Sequence, residues 1–172
     1  MLSKHFPVGH PRAGQPSGFA EALKANLQRI ECHKLHQCVG CGECVKDLKY
    51  HTIRLNVNLW EERAAEINSG NAVLSVREWS GKPYEKGSHQ TEIARLTHLG
   101  VQRVTLKYAW KEASSVYLPA YAEVGTDHNR KIIEIAKLAA NDGMAVEDFK
   151  YWFASKGLSS HLVILHFTSM RY

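Results

Sequence analysis

Apolar positions along this chain recur with two periods, and each period marks out a set of elements. Phe19, Leu23, Leu27 and Ile30 stand at helical spacing, which predicts an amphipathic helix from Ser17 to about Glu31 with Ser17 as N-cap. Tyr50 to Leu55 is rich in aromatic and β-branched residues and predicts a strand. Asn58 and Glu61 have the spacing of a capping box and open a second helix that stops at Asn68-Ser69-Gly70. Strands are then expected at 72–79, closed by Ser80-Gly81-Lys82-Pro83, and at 91–96, 101–110 and 116–124. In the third of these, Val104, Leu106, Tyr108 and Trp110 alternate with polar or small residues, the pattern of a half-buried strand. Val146, Phe149, Trp152 and Phe153 form a compact helical face ending near Gly157, and residues 161–168 make an apolar closing strand. Six or so strands with two to four short helices predict an α+β domain built on a small, mostly antiparallel barrel. Residues 1–16, with three prolines and two glycines, read as an irregular arm, and 17–172 as a single domain.

Composition narrows the class without naming a function. At 172 residues, 44% hydrophobic and 23% charged, the chain has the make-up of an ordinary globular domain with a proper core. No apolar run is long enough for a membrane span, and the N-terminal segment lacks the apolar region of a signal peptide, so a cytoplasmic location and no membrane partner are expected. Net charge is +5, and most of it falls early: residues 1–56 carry eight Lys/Arg against four Asp/Glu. That excess would attract a phosphate-bearing ligand or a polyanion, or simply be a solvated face.

All four cysteines, Cys32, Cys38, Cys41 and Cys44, fall inside thirteen positions, with His33 and His36 among them. Thiolate and imidazole are the ligands zinc prefers, and the C-x₂-C step offers two sulfurs from one turn. A structural zinc site is therefore expected, with Cys38 and Cys41 as its firm pair and two of Cys32, His36 and Cys44 completing it. The C-x₂-C-x₂-C run also fits an iron–sulfur cluster, although no proline follows the last cysteine and no second cluster motif is present. The segment 32–45 reads as an insertion in the domain.

The run Lys49-Tyr50-His51-Thr52-Ile53-Arg54 has the form K-x-x-T-x-R. A helix precedes it, a strand near Ala72 follows one helix later, and the chain closes with 138–149, a helix and a strand. Together these features resemble the ASCH domain, a relative of the PUA fold. The resemblance covers roughly 17–31, 46–80 and 131–170. It implies a β-barrel with a positively lined cleft that takes RNA or a nucleotide or nucleoside. Some bacterial members are amidohydrolases that remove an acyl group from the exocyclic nitrogen of a modified cytidine. Carried over position by position, their catalytic set falls on Lys49, Thr52 and Asp142, the last being shorter than the Glu those enzymes have.

The expected ligand-binding residues are thus Lys49, Thr52 and Arg54, with Tyr84 as an exposed stacking surface beside its turn. Thr52 would serve as nucleophile, Lys49 as a base made available by a lowered pKa, and Asp142 would orient the lysine or shuttle a proton to the leaving nitrogen. Lys49 and Thr52 are three apart and face opposite sides of a regular strand, so they converge only if Lys49 precedes the strand or a bulge intervenes. Asp142, one methylene shorter than Glu, is expected to stop short of Lys49. Binding therefore ranks ahead of catalysis, and a zinc-stapled protein-interaction module is the third reading.

Overall fold

The computed structural model describes residues 1–34, 48–125, 129–155 and 159–172. The chain runs α1 (Phe19–Lys34), β1 (His51–Arg54), α2 (Val57–Asn68), β2 (Leu74–Trp79), β3 (Gln90–Leu96), β4 (Gly100–Lys111), β5 (Val116–Val124), β6 (Lys131–Glu134), α3 (Ile135–Asn141), α4 (Val146–Trp152) and β7 (Ser159–His166). A 3₁₀ turn, Glu112–Ser114, joins β4 to β5. The α+β class and the antiparallel character hold.

The expected barrel does not close. Among the described residues, five strands form an open sheet in the order β1-β7-β4-β5-β6, and β2 pairs only with β3 in a separate ribbon. The edge residue Arg77 of β2 accepts instead from Leu2 of the N-terminal arm, whose amide donates to the Arg77 carbonyl at 2.8 Å. A backbone group that closure would use is thereby satisfied by the arm. Residues 1–16 are irregular apart from a bridge between His5 and Pro16, yet they are anchored, with Leu2, Phe6 and His10 all buried.

Register fixes which residues share a face. On β1, Thr52 and Arg54 stand opposite Leu165 and Val163 of β7, while His51 and Ile53 stand opposite His166 and Ile164. Side chains alternate across a strand, so these are the two faces of the sheet. Phe149, Leu23, Leu138, Leu106 and Ile164 are completely buried in the core, which α1, α3 and α4 share with the sheet.

Three local expectations are corrected. The N-cap position of α2 is Asn56, in the left-handed region at φ 61, and no side-chain cap bond is made. Glu61 instead holds Arg103 of β4 through two contacts of 2.7 Å. The alternation in β4 fails beyond a bulge at Lys107/Tyr108, after which Trp110 is 52% exposed. Finally, β6 and α3 were not anticipated. Glu134 passes directly from the four-residue strand into the helix, with no turn residue to announce either.

Candidate functional site

Lys49 lies just before β1, clamped through its backbone on two sides. Its amide approaches the Ala22 carbonyl at 3.4 Å, and the buried Asn26 side chain donates to its carbonyl at 3.0 Å. Next to it, the Tyr50 amide donates to the Asn141 carbonyl at 2.8 Å. Asp142 terminates α3, and Lys49 and Asp142 form an isolated antiparallel bridge. Gly143 then turns the chain at φ 73. A Cβ on Gly143 would lie 3.3 Å from the Lys49 Cβ, so glycine lets the two backbones approach this closely.

That approach overturns the expectation for Asp142. Lys49 Nζ makes a direct contact with the Asp142 carboxylate and donates to the Asp142 carbonyl at 2.6 Å. The shorter side chain suffices because the two backbones run this close together. Lys49 is 1% exposed and Asp142 2%, and the ammonium sits 4.1 Å from the centre of the Phe19 ring. Burial pushes the lysine pKa down and the aspartate pKa up, while the charge of each partner opposes the shift of the other.

The trio carried over from the resemblance is nevertheless divided. Lys49 stands before the strand, as convergence requires, but His51 is the residue turned towards the pair, with Nδ1 4.0 Å from the carboxylate. Thr52 faces the other way, into a small cavity of about 30 Å³ that Arg54, Trp60, Leu2 and Val76 also line. Lys49 and Asp142 do not line that cavity. Among the described residues, no hydrogen bond joins Thr52 to either of them. Thr52 and Arg54 do share a face, as their spacing predicts, but Lys49 does not reach their pocket.

Arg54 connects the two regions. Its guanidinium donates to the carbonyls of Ile53 at 2.9 Å and Met1 at 2.7 Å. Burial lowers its pKa and the Asp142 charge opposes that shift. Arg54 also lines a second cleft of about 350 Å³, together with Tyr108, Trp152, Phe153, Ser155 and Ser160. The β4 bulge comes immediately before Tyr108. This volume lies in the range of small-molecule sites, and the lining combines aromatic walls, hydroxyls and one cation. A larger groove of about 600 Å³ runs between the arm, α1 and the turn at Gly143, but its one cation, Arg12, is already held by Asp148 at 2.6 Å.

Tyr84 is 89% exposed, as expected, and packs on Trp79 at 5.2 Å. It lines neither Arg54 cavity. His10 is buried with its ring stacked on Phe6, centroids 4.4 Å apart, and His161 is exposed on β7. Of the proposed metal ligands, His36, Cys38, Cys41 and Cys44 lie outside the described residues. Only the backbone placement of Cys32, near the end of α1, is described. Sequence reasoning did not find Tyr108, Trp152, Phe153 or the Tyr172 side chain as site residues. The K-x-x-T-x-R run did contain His51, next to the residues selected.

Comparison with family models, curated proteins and solved structures finds no match for this chain. Among the described residues, no helix is long and apolar enough to cross a membrane.

Proposed function

We propose that this chain is an ASCH/PUA-like binding domain that takes a nucleotide or nucleoside, free or within RNA, in the Arg54 cleft. One observation carries the reading: the arginine of the K-x-x-T-x-R run lines a cleft of about 350 Å³ walled by Tyr108, Trp152 and Phe153. Aromatic faces accept a base by stacking, hydroxyls on Ser155 and Ser160 suit ribose or base edges, and a guanidinium suits a phosphate. The basic excess of residues 1–56 favours the same class of ligand.

A second reading is hydrolysis of an acylated nucleoside, favoured by the Lys49–Asp142 contact. Desolvation lowers the lysine pKa in the direction a general base needs. Against it stands Thr52, which faces away from the pair and, among the described residues, makes no hydrogen bond to a base. The cysteine cluster is proposed to hold a structural zinc on the strength of its donor types and spacing. If the cleft takes no ligand, the zinc-stapled segment 32–45 as a protein contact surface is the remaining reading.

The test follows tryptophan fluorescence while cytidine 5′-monophosphate or a short RNA is added, and cytidine release from N⁴-acetylcytidine in parallel. Saturable quenching lost in Trp152→Ala, without turnover, supports binding. Turnover abolished by Lys49→Ala establishes the second reading. Neither signal at millimolar ligand removes both.

A further inference from the structure

Beside the Lys49–Asp142 pair lies a buried polar chain to which the proposed function assigns no role. His51 is fully buried. Its Nε2 lies 2.7 Å from the Tyr172 hydroxyl, and among the described residues its Nδ1 has no hydrogen-bond partner. The Tyr172 hydroxyl also receives the Asn141 side-chain amide at 2.8 Å, and Asn141 immediately precedes Asp142. His166 stands across the ladder from His51 with ring centres 5.7 Å apart, and its own Nε2 meets Gln102 at 3.2 Å.

Counting protons fixes the direction of this chain. Tyr172 has one hydroxyl proton, and Asn141 has taken the role of donor to its oxygen. Among the described residues the acceptor left within reach is His51 Nε2, so that nitrogen carries the lone pair and Nδ1 carries the proton. The opposite tautomer leaves the phenol proton without an acceptor and turns a bare Nδ1 lone pair towards a carboxylate 4.0 Å away. Buried polar groups left in that way are costly, so the first arrangement prevails. Burial, the Lys49 charge and His166 all lower the His51 pKa, which keeps the ring neutral.

We infer that His51 is a positioning residue of the Lys49–Asp142 centre, held by Tyr172 as the Nδ1-protonated tautomer so that its N–H faces the Asp142 carboxylate. At 4.0 Å this N–H is not yet a hydrogen bond. A shift of about 1 Å makes it one, and it would then support the carboxylate alongside Lys49. The assignment rests on the second reading above, in which this pair is the working polar centre.

The experiment needs no ligand, so its outcome is separate from that of the binding test. Long-range ¹H–¹⁵N NMR of the full chain reads the tautomer of each imidazole at neutral pH. The expected result is a neutral His51 with its proton on Nδ1. A proton on Nε2, or an imidazolium, overturns the assignment, and this reading on the unaltered protein stands even if every variant fails to fold. A second measurement follows the Asp142 carboxyl ¹³C shift against pH in His51→Asn, which keeps an N–H near the Nδ1 position, and in His51→Leu. Loss of the N–H in His51→Leu should raise the midpoint by about half a pH unit over His51→Asn. Equal midpoints in two folded variants would show that His51 only fills space.

Discussion

Replacing Asp142 by leucine should be among the most damaging single changes to this fold, and the structure says why. The variant leaves Lys49 almost fully buried, with the Asp142 main-chain carbonyl at 2.6 Å and the Phe19 ring at 4.1 Å as its remaining favourable contacts. A buried ammonium over an aromatic face recovers up to about 2 kcal/mol. Breaking one side of a buried pair costs about 3–5 kcal/mol, because the other charge stays desolvated and uncompensated. Against a domain stability of about 5–15 kcal/mol this is a large fraction. In urea, with a slope of about 2 kcal/mol per molar, the midpoint should fall by about 2 M at neutral pH. Replacing both partners, Lys49→Met with Asp142→Leu, should recover most of the loss, since no charge is left behind. The pH dependence of the single variant supplies a sign test. Burial lowers the lysine pKa in the folded state, so the unfolded chain binds the extra proton, and the variant should gain stability as pH rises towards about 10.4. A loss below about 1 kcal/mol, additive with that of Lys49→Met, would refute the claim that the pair is buried and mutually dependent.

The two facing histidines make a further stability claim. Burial lowers both folded values, His51 well below its usual range and His166 to about 4, so the unfolded state takes up protons first. Stability should be complete above pH ~6.5 and fall towards pH 4, with about 2–3 kcal/mol lost through His166, and denaturant midpoints in His166→Gln should show a shallower fall. Gly143→Ala forces a side chain into φ 73 and a Cβ to 3.3 Å from that of Lys49. It should cost about 1–3 kcal/mol in thermal or urea unfolding, and a neutral result would mean that the close approach at Asp142 is not required. The purified protein should hold about one zinc per chain by elemental analysis, lost in Cys38→Ser and Cys41→Ser; metal-free protein or iron in its place would remove the zinc reading.

Elements that carry a clear period were legible in the sequence. Strands β1, β2, β3, β4, β5 and β7 and helices α1 and α2 fall within a few residues of where spacing, composition and capping signals put them, while α4 begins where expected but ends at Trp152, before Gly157. Openness of the sheet was not legible, because nothing in the pattern of β2 says that Leu2 will pair with its edge. Elements β6 and α3 were missed because four residues of strand lead into seven of helix without a Gly, Pro or Asn between them. For the site, the resemblance to the ASCH domain pointed to Lys49, Arg54 and Asp142, and the structure brings Lys49 and Asp142 together. Spacing also warned that Thr52 would face away from Lys49, and it does. The reach of Asp142 was misjudged because side-chain length was counted and the approach of the backbone at Gly143 was not. Tyr108, Trp152 and Phe153 were read as strand and helix faces, and no local pattern places them beside Arg54, more than fifty residues away.

The most direct test of the central claim is an equilibrium titration of the intact protein with cytidine 5′-monophosphate at two salt concentrations, repeated with Arg54→Ala. If the Arg54 cleft holds a nucleotide through its phosphate, removing a charge-assisted contact of about 1.5–3 kcal/mol should weaken binding about ten- to a hundredfold. The salt dependence should flatten in the variant. Native and variant proteins that bind with equal affinity and equal salt dependence would contradict the assignment of Arg54. No saturable binding of any nucleoside monophosphate to the native protein would contradict the nucleotide site itself.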